Sequence, residues 1–149
     1  MRYLEDMEVG QRESFGSYSV TAEEVAEFAR KYDPQPFHLS DEAAAKTHFG
    51  RIAASGWHSC AMMMAMLVAH FEKVQLASHG AAGVDELRWL RPVYPGDTLR
   101  CESEVVEVRP SRSRPEIGTL RTLVTVLNQE DVAVLRCITI ALIGRRGEG

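Results

Sequence analysis

The sequence predicts an α+β fold in which an antiparallel sheet wraps around a long central helix. Three observations support this fold class: an apolar segment with helical character over residues 56–74, four strand-like segments after it, and one short strand before it. The chain has 149 residues, and a chain of this length buries about 68–70% of its unfolded surface, enough for one hydrophobic core. We therefore expect a single domain over residues 1–149.

A strand and a helix are predicted at the beginning of the chain. Apolar side chains in a strand-like pattern over residues 14–20 predict the first strand. Thr21 begins a helix, and Glu24 completes the pattern of a capping box, in which each side chain bonds a free backbone N–H of the first turn. The helix should end near Tyr32, because Pro34 disfavours helical geometry in the residue before it.

Two further helices are predicted before the main strands. Ser40 is followed by two acidic residues, which favours a second, shorter helix that ends before Gly50, since acids stabilise the N-terminal end of a helix. Residues 56–74 are apolar on nearly every helical face, so this segment is predicted to be a central helix buried on most sides. Its four methionines are interpreted as core filler in preference to a cofactor-binding box: Met62, Met63, Met64 and Met66.

Strand-like patterns fill the rest of the chain. They occupy residues 84–90, 98–108, 119–128 and 132–143. Polar residues 128–131 lie between the last two patterns and predict a hairpin.

The charge balance argues against a nucleic-acid partner. The formal net charge is -4, from 17 Lys+Arg and 21 Asp+Glu, and no basic stripe with interleaved aromatic side chains is present in the sequence. A local cluster of arginines is open to two interpretations, a solvated face or a site for a small phosphorylated ligand. It comprises Arg109, Arg112, Arg114, Arg121, Arg145 and Arg146.

Cysteine usage and hydropathy limit the class of protein further. Cys60, Cys101 and Cys137 are widely spaced in apolar stretches and predict neither a disulfide framework nor a metal site. Residues 1–12 lack the apolar core of a signal peptide, and no apolar stretch is long enough to span a bilayer. We expect a cytoplasmic protein with no membrane partner.

The strongest candidate for chemistry is the loop over residues 32–38. Two prolines exclude a continuous helix, so Asp33 and His38 lie on a kinked loop whose ends can approach each other. A carboxylate and an imidazole directed at one water are suited to general acid–base catalysis, because Asp accepts a proton and His titrates near neutrality. The alternative is structural: Asp33 ends a helix and His38 bonds a loop carbonyl.

Other segments are less specific. Before the central helix, small residues within the segment 52–57 let a ligand approach the backbone, and the free N–H groups at a helix N-terminus can stabilise negative charge on an oxygen. The alternative there is that Ser55 is an ordinary N-cap. Residues 90–99 contain a Pro- and Gly-rich turn and are interpreted as architecture.

The remaining histidines give no candidate site. His58 and His70 lie on the predicted central helix and are interpreted as hydrogen-bonded core or interface residues. His48 and His79 have no partner that the sequence indicates, and no two histidines have the spacing of a zinc site.

Taken in order, these segments resemble the MaoC-like branch of the hotdog-fold superfamily, which includes the (R)-specific enoyl-CoA hydratases. The family signature is Asp-x-Asn-Pro-x-His, and Asp33, Pro36 and His38 stand at the matching positions. The resemblance covers about residues 4–142 and continues through Phe49-Gly50, Ile52-Ala53, Gly56, Leu90-Arg91-Pro92-Val93 and Gly96-Asp97.

Three positions depart from the family pattern. Gln35 replaces the usual Asn, Ser55 stands where many members have His, and Met64 stands where some hydratases have Ser. The acid–base pair is therefore retained, while the residues that orient the substrate are changed.

The resemblance implies a hydro-lyase that adds water reversibly to a trans-2-enoyl-CoA and gives a 3-hydroxyacyl-CoA. In that mechanism Asp33 is the general base for a water held together with His38, and the Gly56 N–H binds the thioester oxygen as it becomes enolate-like. The substrate-binding side chains expected beside them are Ser55, Trp57 and Gln35.

The resemblance also implies a hotdog fold and a homodimer, or a higher oligomer, with two sheets joined edge to edge. The expected substrate is a thioester of CoA or of acyl carrier protein, with no cofactor and no metal. Two alternatives remain open: a hotdog acyl-CoA thioesterase, and a non-catalytic protein that binds acyl thioesters, which the changes at Gln35 and Ser55 make credible.

Overall fold

One sheet of five antiparallel strands is the largest element of the computed structural model, which describes residues 1–147. Its strands are β1 (Arg12–Ser19), β2 (Ser78–Trp89), β3 (Thr98–Pro110), β4 (Ile117–Leu127) and β5 (Ala133–Gly144). The order across the sheet is β1-β3-β4-β5-β2, and every neighbouring pair is antiparallel. β1 and β2 are therefore the two edge strands.

The five predicted strands are confirmed, with one clear difference in length. β2 begins at Ser78, whereas the sequence predicts a start at Val84. The pattern missed residues 78–83 because they are small or polar and lack the alternation with apolar side chains that indicates a strand. The hairpin between β4 and β5 is confirmed, and Asn128 N donates to Val132 O across its tip at 3.0 Å.

The helices are α1 (Ala22–Tyr32), α2 (Asp41–Ala44) and α3 (Gly56–Val74), with single 3-10 turns at Leu4–Asp6 and Pro36–His38. The predicted N-caps are confirmed, since the Thr21 side chain accepts from Glu24 N and the Ser40 side chain accepts from Ala43 N. The other predicted bond of the capping box, from the Thr21 N–H to the Glu24 side chain, is wrong. The Glu24 carboxylate instead accepts from Tyr18 Oη and contacts His58 Nε2, because two tertiary partners satisfy it in place of one backbone N–H.

One face of α3 forms the core with the sheet. The helix buries Met62, Met63, Met66 and Leu67 against strand side chains that include Leu99 and Val124. Burying a side chain of this size contributes about 1.5–3 kcal/mol relative to leaving it in water.

The opposite face of α3 is exposed, so the prediction of burial on most sides is wrong. Trp57 is 58% exposed, and Met64 and Val68 are each 43% exposed. Met64 is therefore not core filler, unlike the other three methionines. The composition of an apolar segment does not determine how many of its faces its own chain covers. We call this the outer face of α3; it comprises Trp57, Ala61, Met64, Ala65, Val68 and Ala69.

Candidate active site

The loop after α1 brings the carboxylate and the imidazole together. α1 ends at Tyr32, and the N–H of Asp33 donates to the carbonyl of Ala29. The prolines that follow lead the chain into the 3-10 turn that ends at His38. His38 Nε2 lies 3.5 Å from Asp33 Oδ2, so the two ends of the loop approach each other as the sequence predicts.

A backbone carbonyl holds His38 in one orientation. His38 Nδ1 lies 2.6 Å from the carbonyl oxygen of Ala53, and the residue is only 5% exposed. Because a carbonyl oxygen only accepts hydrogen bonds, Nδ1 carries the hydrogen, and in the neutral ring Nε2 presents a lone pair toward Asp33. The structural alternative for His38, a bond to a loop carbonyl, is thus present in the structure. This bond uses Nδ1 and leaves Nε2 available.

Both carboxylate oxygens of Asp33 accept hydrogen bonds. Gln35 Nε2 donates to Oδ1 at 2.7 Å, and Ser55 Oγ donates to Oδ2 at 2.7 Å. Burial raises the pKa of Asp33, but these two bonds and the nearby His38 lower it by more, so the pKa lies below its ordinary value. Asp33 is therefore ionised at neutral pH, which is the form that accepts a proton.

The start of α3 provides a free backbone donor beside this pair. Ser55 is the N-cap, and its Oγ accepts from Trp57 N at 3.3 Å. Within residues 1–147 the N–H of Gly56 donates to no acceptor. The first N–H groups of a helix point along the positive end of its dipole, so this donor is suited to an oxygen that gains negative charge.

The indole of Trp89, at the end of β2, packs directly on Gly56. Trp89 Nε1 donates to the carbonyl oxygen of Gly56 at 2.9 Å, and a Cβ placed on Gly56 would lie 2.6 Å from Trp89 Cδ2. Trp57 meets the same indole edge to face, with ring centroids 5.2 Å apart. Glycine is therefore required at the first position of α3 for this close approach.

An open cavity of about 470 Å³ contains the pair and the start of α3. Among the predicted site residues its wall includes Asp33, Gln35, His38, Gly56 and Trp57, while Ser55 is fully buried behind Asp33. The wall also includes residues that the sequence did not indicate: His48, Ser59, Trp89 and Arg91.

Residues 90–93 form one side of this cavity. The sequence interprets them as architecture, and in the structure they are part of the cavity wall. No spacing in the sequence connects these residues to Asp33, because it is the position of β2 in the sheet that brings them to the cavity.

Two of the remaining histidines and most of the arginine cluster have structural partners. His58 and His70 contact Glu24 and Glu13 through Nε2 at 3.0 and 2.7 Å, as predicted for hydrogen-bonded core histidines. Most of the arginine cluster is paired with carboxylates at 2.6–3.4 Å, which favours a solvated face over an anion site. The paired members are Arg109, Arg114, Arg121, Arg145 and Arg146.

Two kinds of feature are absent from residues 1–147. This part of the chain holds no group of three or more side chains placed to bind a metal ion. No helix in it has the length and apolar character needed to cross a membrane.

The fold class expected from the resemblance is confirmed: this is a hotdog-fold α+β protein, and its carboxylate–imidazole pair lies at the start of the central helix. The protein belongs to the family described as "MaoC like domain", whose model matches residues 6–128.

Individual relatives agree with the family assignment. The chain is 31% identical over 144 residues to the uncharacterized protein YdeM of Bacillus subtilis (strain 168), with 95% of this chain and 99% of YdeM covered. It is 32% identical over 118 residues to a 3-hydroxybutyryl-CoA dehydratase of Methylorubrum extorquens, with 78% and 71% covered. The crystal structure of a MaoC-like dehydratase from Rhodospirillum rubrum superposes with a TM-score of 0.89 at 39% identity, with 99% and 100% covered. The chain is thus similar to proteins of a hydratase and dehydratase family.

Proposed function

We propose that this protein adds water reversibly to a trans-2-enoyl-CoA and gives a 3-hydroxyacyl-CoA. The observation that carries the proposal is the 3.5 Å separation of Asp33 Oδ2 and His38 Nε2. Both atoms are acceptors in the neutral-ring tautomer, and the separation is longer than a direct hydrogen bond. One water would donate a hydrogen to each atom and direct an oxygen lone pair at the substrate.

The proposed chemistry divides the work among three groups. Asp33 removes a proton from the water as its oxygen bonds to the β-carbon, and the C=C electrons move toward the thioester carbonyl. The Gly56 N–H donates to the thioester oxygen, which gains negative charge, and such a donor is worth about 2.7–4 kcal/mol in the transition state. His38 orients the water through Nε2, and the proton that Asp33 has taken from the water is then passed to the α-carbon, a transfer in which His38 shares. Dehydration follows the same steps in reverse.

The cavity wall supports an acyl thioester as substrate. Trp57, Trp89, Phe49 and Val93 provide an apolar surface next to the polar pair, the combination found in small-molecule sites. We assign Trp57 to contact with the substrate. A thioester of CoA and one of acyl carrier protein both fit this assignment.

We further propose that the protein is a cytoplasmic homodimer in which residues 1–149 form one domain. β2 is an edge strand bonded only to β5 within the described chain, and its unpaired side can join the same strand of a second copy. β2 ends at Trp89, so such an interface would lie beside the cavity.

The loss of the conjugated enoyl-thioester absorbance tests the proposed reaction. Crotonyl-CoA and longer or branched enoyl-CoAs are supplied to the wild type and to the Asp33→Asn and His38→Ala variants. Each variant should lose about 10²- to 10⁴-fold in kcat/KM, the usual contribution of a general acid or base. Asp85→Asn is the matched control, because Asp85 pairs with Arg121 on the sheet, away from the cavity.

The same assay separates the alternatives. Near-normal rates in both site variants, with folding confirmed by circular dichroism, contradict the proposed roles. Release of free CoA thiol would identify a thioesterase. Saturable binding of acyl-CoA with no turnover of any substrate would identify a binding protein.

A further inference from the structure

Two of the positions at which this chain departs from the family pattern contact the same carboxylate. Gln35 and Ser55 each donate a 2.7 Å hydrogen bond to Asp33, one to each oxygen. The resemblance implies that both side chains contact the substrate, whereas in the structure both bond the carboxylate of Asp33.

The local backbone directs each donor. The N–H of Gln35 bonds the carbonyl oxygen of Asp33 at 2.8 Å, and this tight turn folds the Gln35 side chain back onto the carboxylate. Ser55 is fully buried, and its Oγ accepts from Trp57 N. Because an ionised carboxylate only accepts hydrogen bonds, the single hydrogen of the Ser55 hydroxyl points to Asp33.

We propose that Gln35 and Ser55 are positioning residues that hold the Asp33 carboxylate in its ionised form, with Oδ2 directed at His38. The inference rests on the proposed function, because it assigns Asp33 as the general base. The other titratable or charged side chains on the same cavity are His38, His48 and Arg91. Of these, His38 faces the carboxylate within ion-pair distance.

The direction of the effect follows from the bonds. A donor stabilises a carboxylate more than a carboxylic acid, so each bond lowers the pKa of Asp33 and outweighs the effect of burial. The ionised base is then present down to a lower pH than an unassisted buried aspartate would allow. Removing either donor raises the pKa of Asp33 and moves the acidic limb of the rate profile to higher pH.

Carbon-detected NMR titration of the Asp33 carboxyl group tests this without turnover. The titration midpoint should rise in Gln35→Ala, in Ser55→Ala and further in the double variant. Gln35→Glu should raise it most, because it replaces a donor with a second carboxylate of nearly the same shape. Gln35 is exposed, so its variants fold even if a buried Ser55→Ala does not. Gln129→Ala is the matched control, since the Gln129 amide bonds Asp97 at 3.1 Å, outside the cavity.

The pH dependence of kcat/KM gives the second measurement. Losing one bond to a charged acceptor should lower the rate about tenfold at the acidic end of the profile, with a smaller loss at the alkaline end. Ser55→Thr keeps a hydroxyl and should restore the profile. An unchanged Asp33 midpoint in the Gln35 variants, or a loss of equal size at every pH, overturns the proposal. If the wild type hydrates no enoyl-CoA but the midpoints shift, the proposed reaction fails and the role of the two donors stands.

Discussion

Replacing Gly56 with alanine tests the fit between the start of α3 and the indole of Trp89. The added Cβ would lie 2.6 Å from Trp89 Cδ2 and 2.7 Å from Nε1, well inside the contact distance of about 3.5–4.0 Å between carbon atoms. The backbone of Gly56 is helical, which alanine adopts without strain, so the indole must move.

The cost follows from the contacts that the displaced indole loses. These are the bond from Trp89 Nε1 to the Gly56 carbonyl and the edge contact with Trp57, worth about 0.5–1.5 kcal/mol each. Replacing glycine at a helical position returns about 0.4–1 kcal/mol. The net loss of about 1 kcal/mol should lower the Tm by about 2–4 °C. Alanine keeps the N–H that is the proposed oxyanion donor, but the displaced indole shifts the cavity wall beside it, and a misplacement of about 1 Å costs about 10²-fold in kcat/KM.

Thermal unfolding and the enoyl-CoA assay are compared for Gly56→Ala, Trp89→Ala and the double variant. Trp89→Ala removes the obstacle, so adding Gly56→Ala to it should cost no further stability. Gly83→Ala is the matched control, because its Cβ would meet only Ile140 Cδ1, at 4.0 Å. Wild-type Tm and rate in Gly56→Ala, or additive stability losses in the double variant, would refute the reasoning.

Two further outcomes follow from groups outside the cavity. Burial raises the pKa of Cys101 to about 12 and that of Cys137 to about 11. At pH 8 a colorimetric disulfide reagent should therefore label neither of these thiols in the folded protein. Cys60 is partly exposed, so rapid labelling of more than one thiol per chain would contradict this prediction. The hydrogen bond to Glu24, with burial, raises the pKa of Tyr18 to about 12, so its stabilising contribution is complete below pH 10 and is lost as the pH rises toward 12. Absorbance titration should show this late phenol ionisation in the wild type and not in Tyr18→Phe, and identical curves would disprove the contact.

Local patterns in the sequence predicted the elements that short-range chemistry determines. Thr21 and Ser40 were predictable as N-caps because the groups they bond lie three residues away. The approach of Asp33 and His38 was predictable for the same reason, since one short loop with two prolines contains both residues.

The contacts that complete the site could not be predicted in this way. Ser55 bonds a carboxylate 22 residues before it, and Trp89 covers a glycine 33 residues before it. These pairs meet because the sheet and α3 pack together, and no periodicity records which side chains then meet. The exposed outer face of α3 could not be predicted for a related reason. The apolar composition of a helix does not indicate which of its faces the rest of the chain covers.

The two members of the acid–base pair differ in how easily a substitution removes the hydrogen bonds that hold them. The acceptor that fixes the imidazole is a main-chain oxygen, which every amino acid at position 53 would supply. The donors on Asp33 are side chains, and a single substitution at Gln35 or Ser55 removes either one. Evolution can therefore adjust the basicity of the carboxylate step by step while the tautomer of the histidine stays the same.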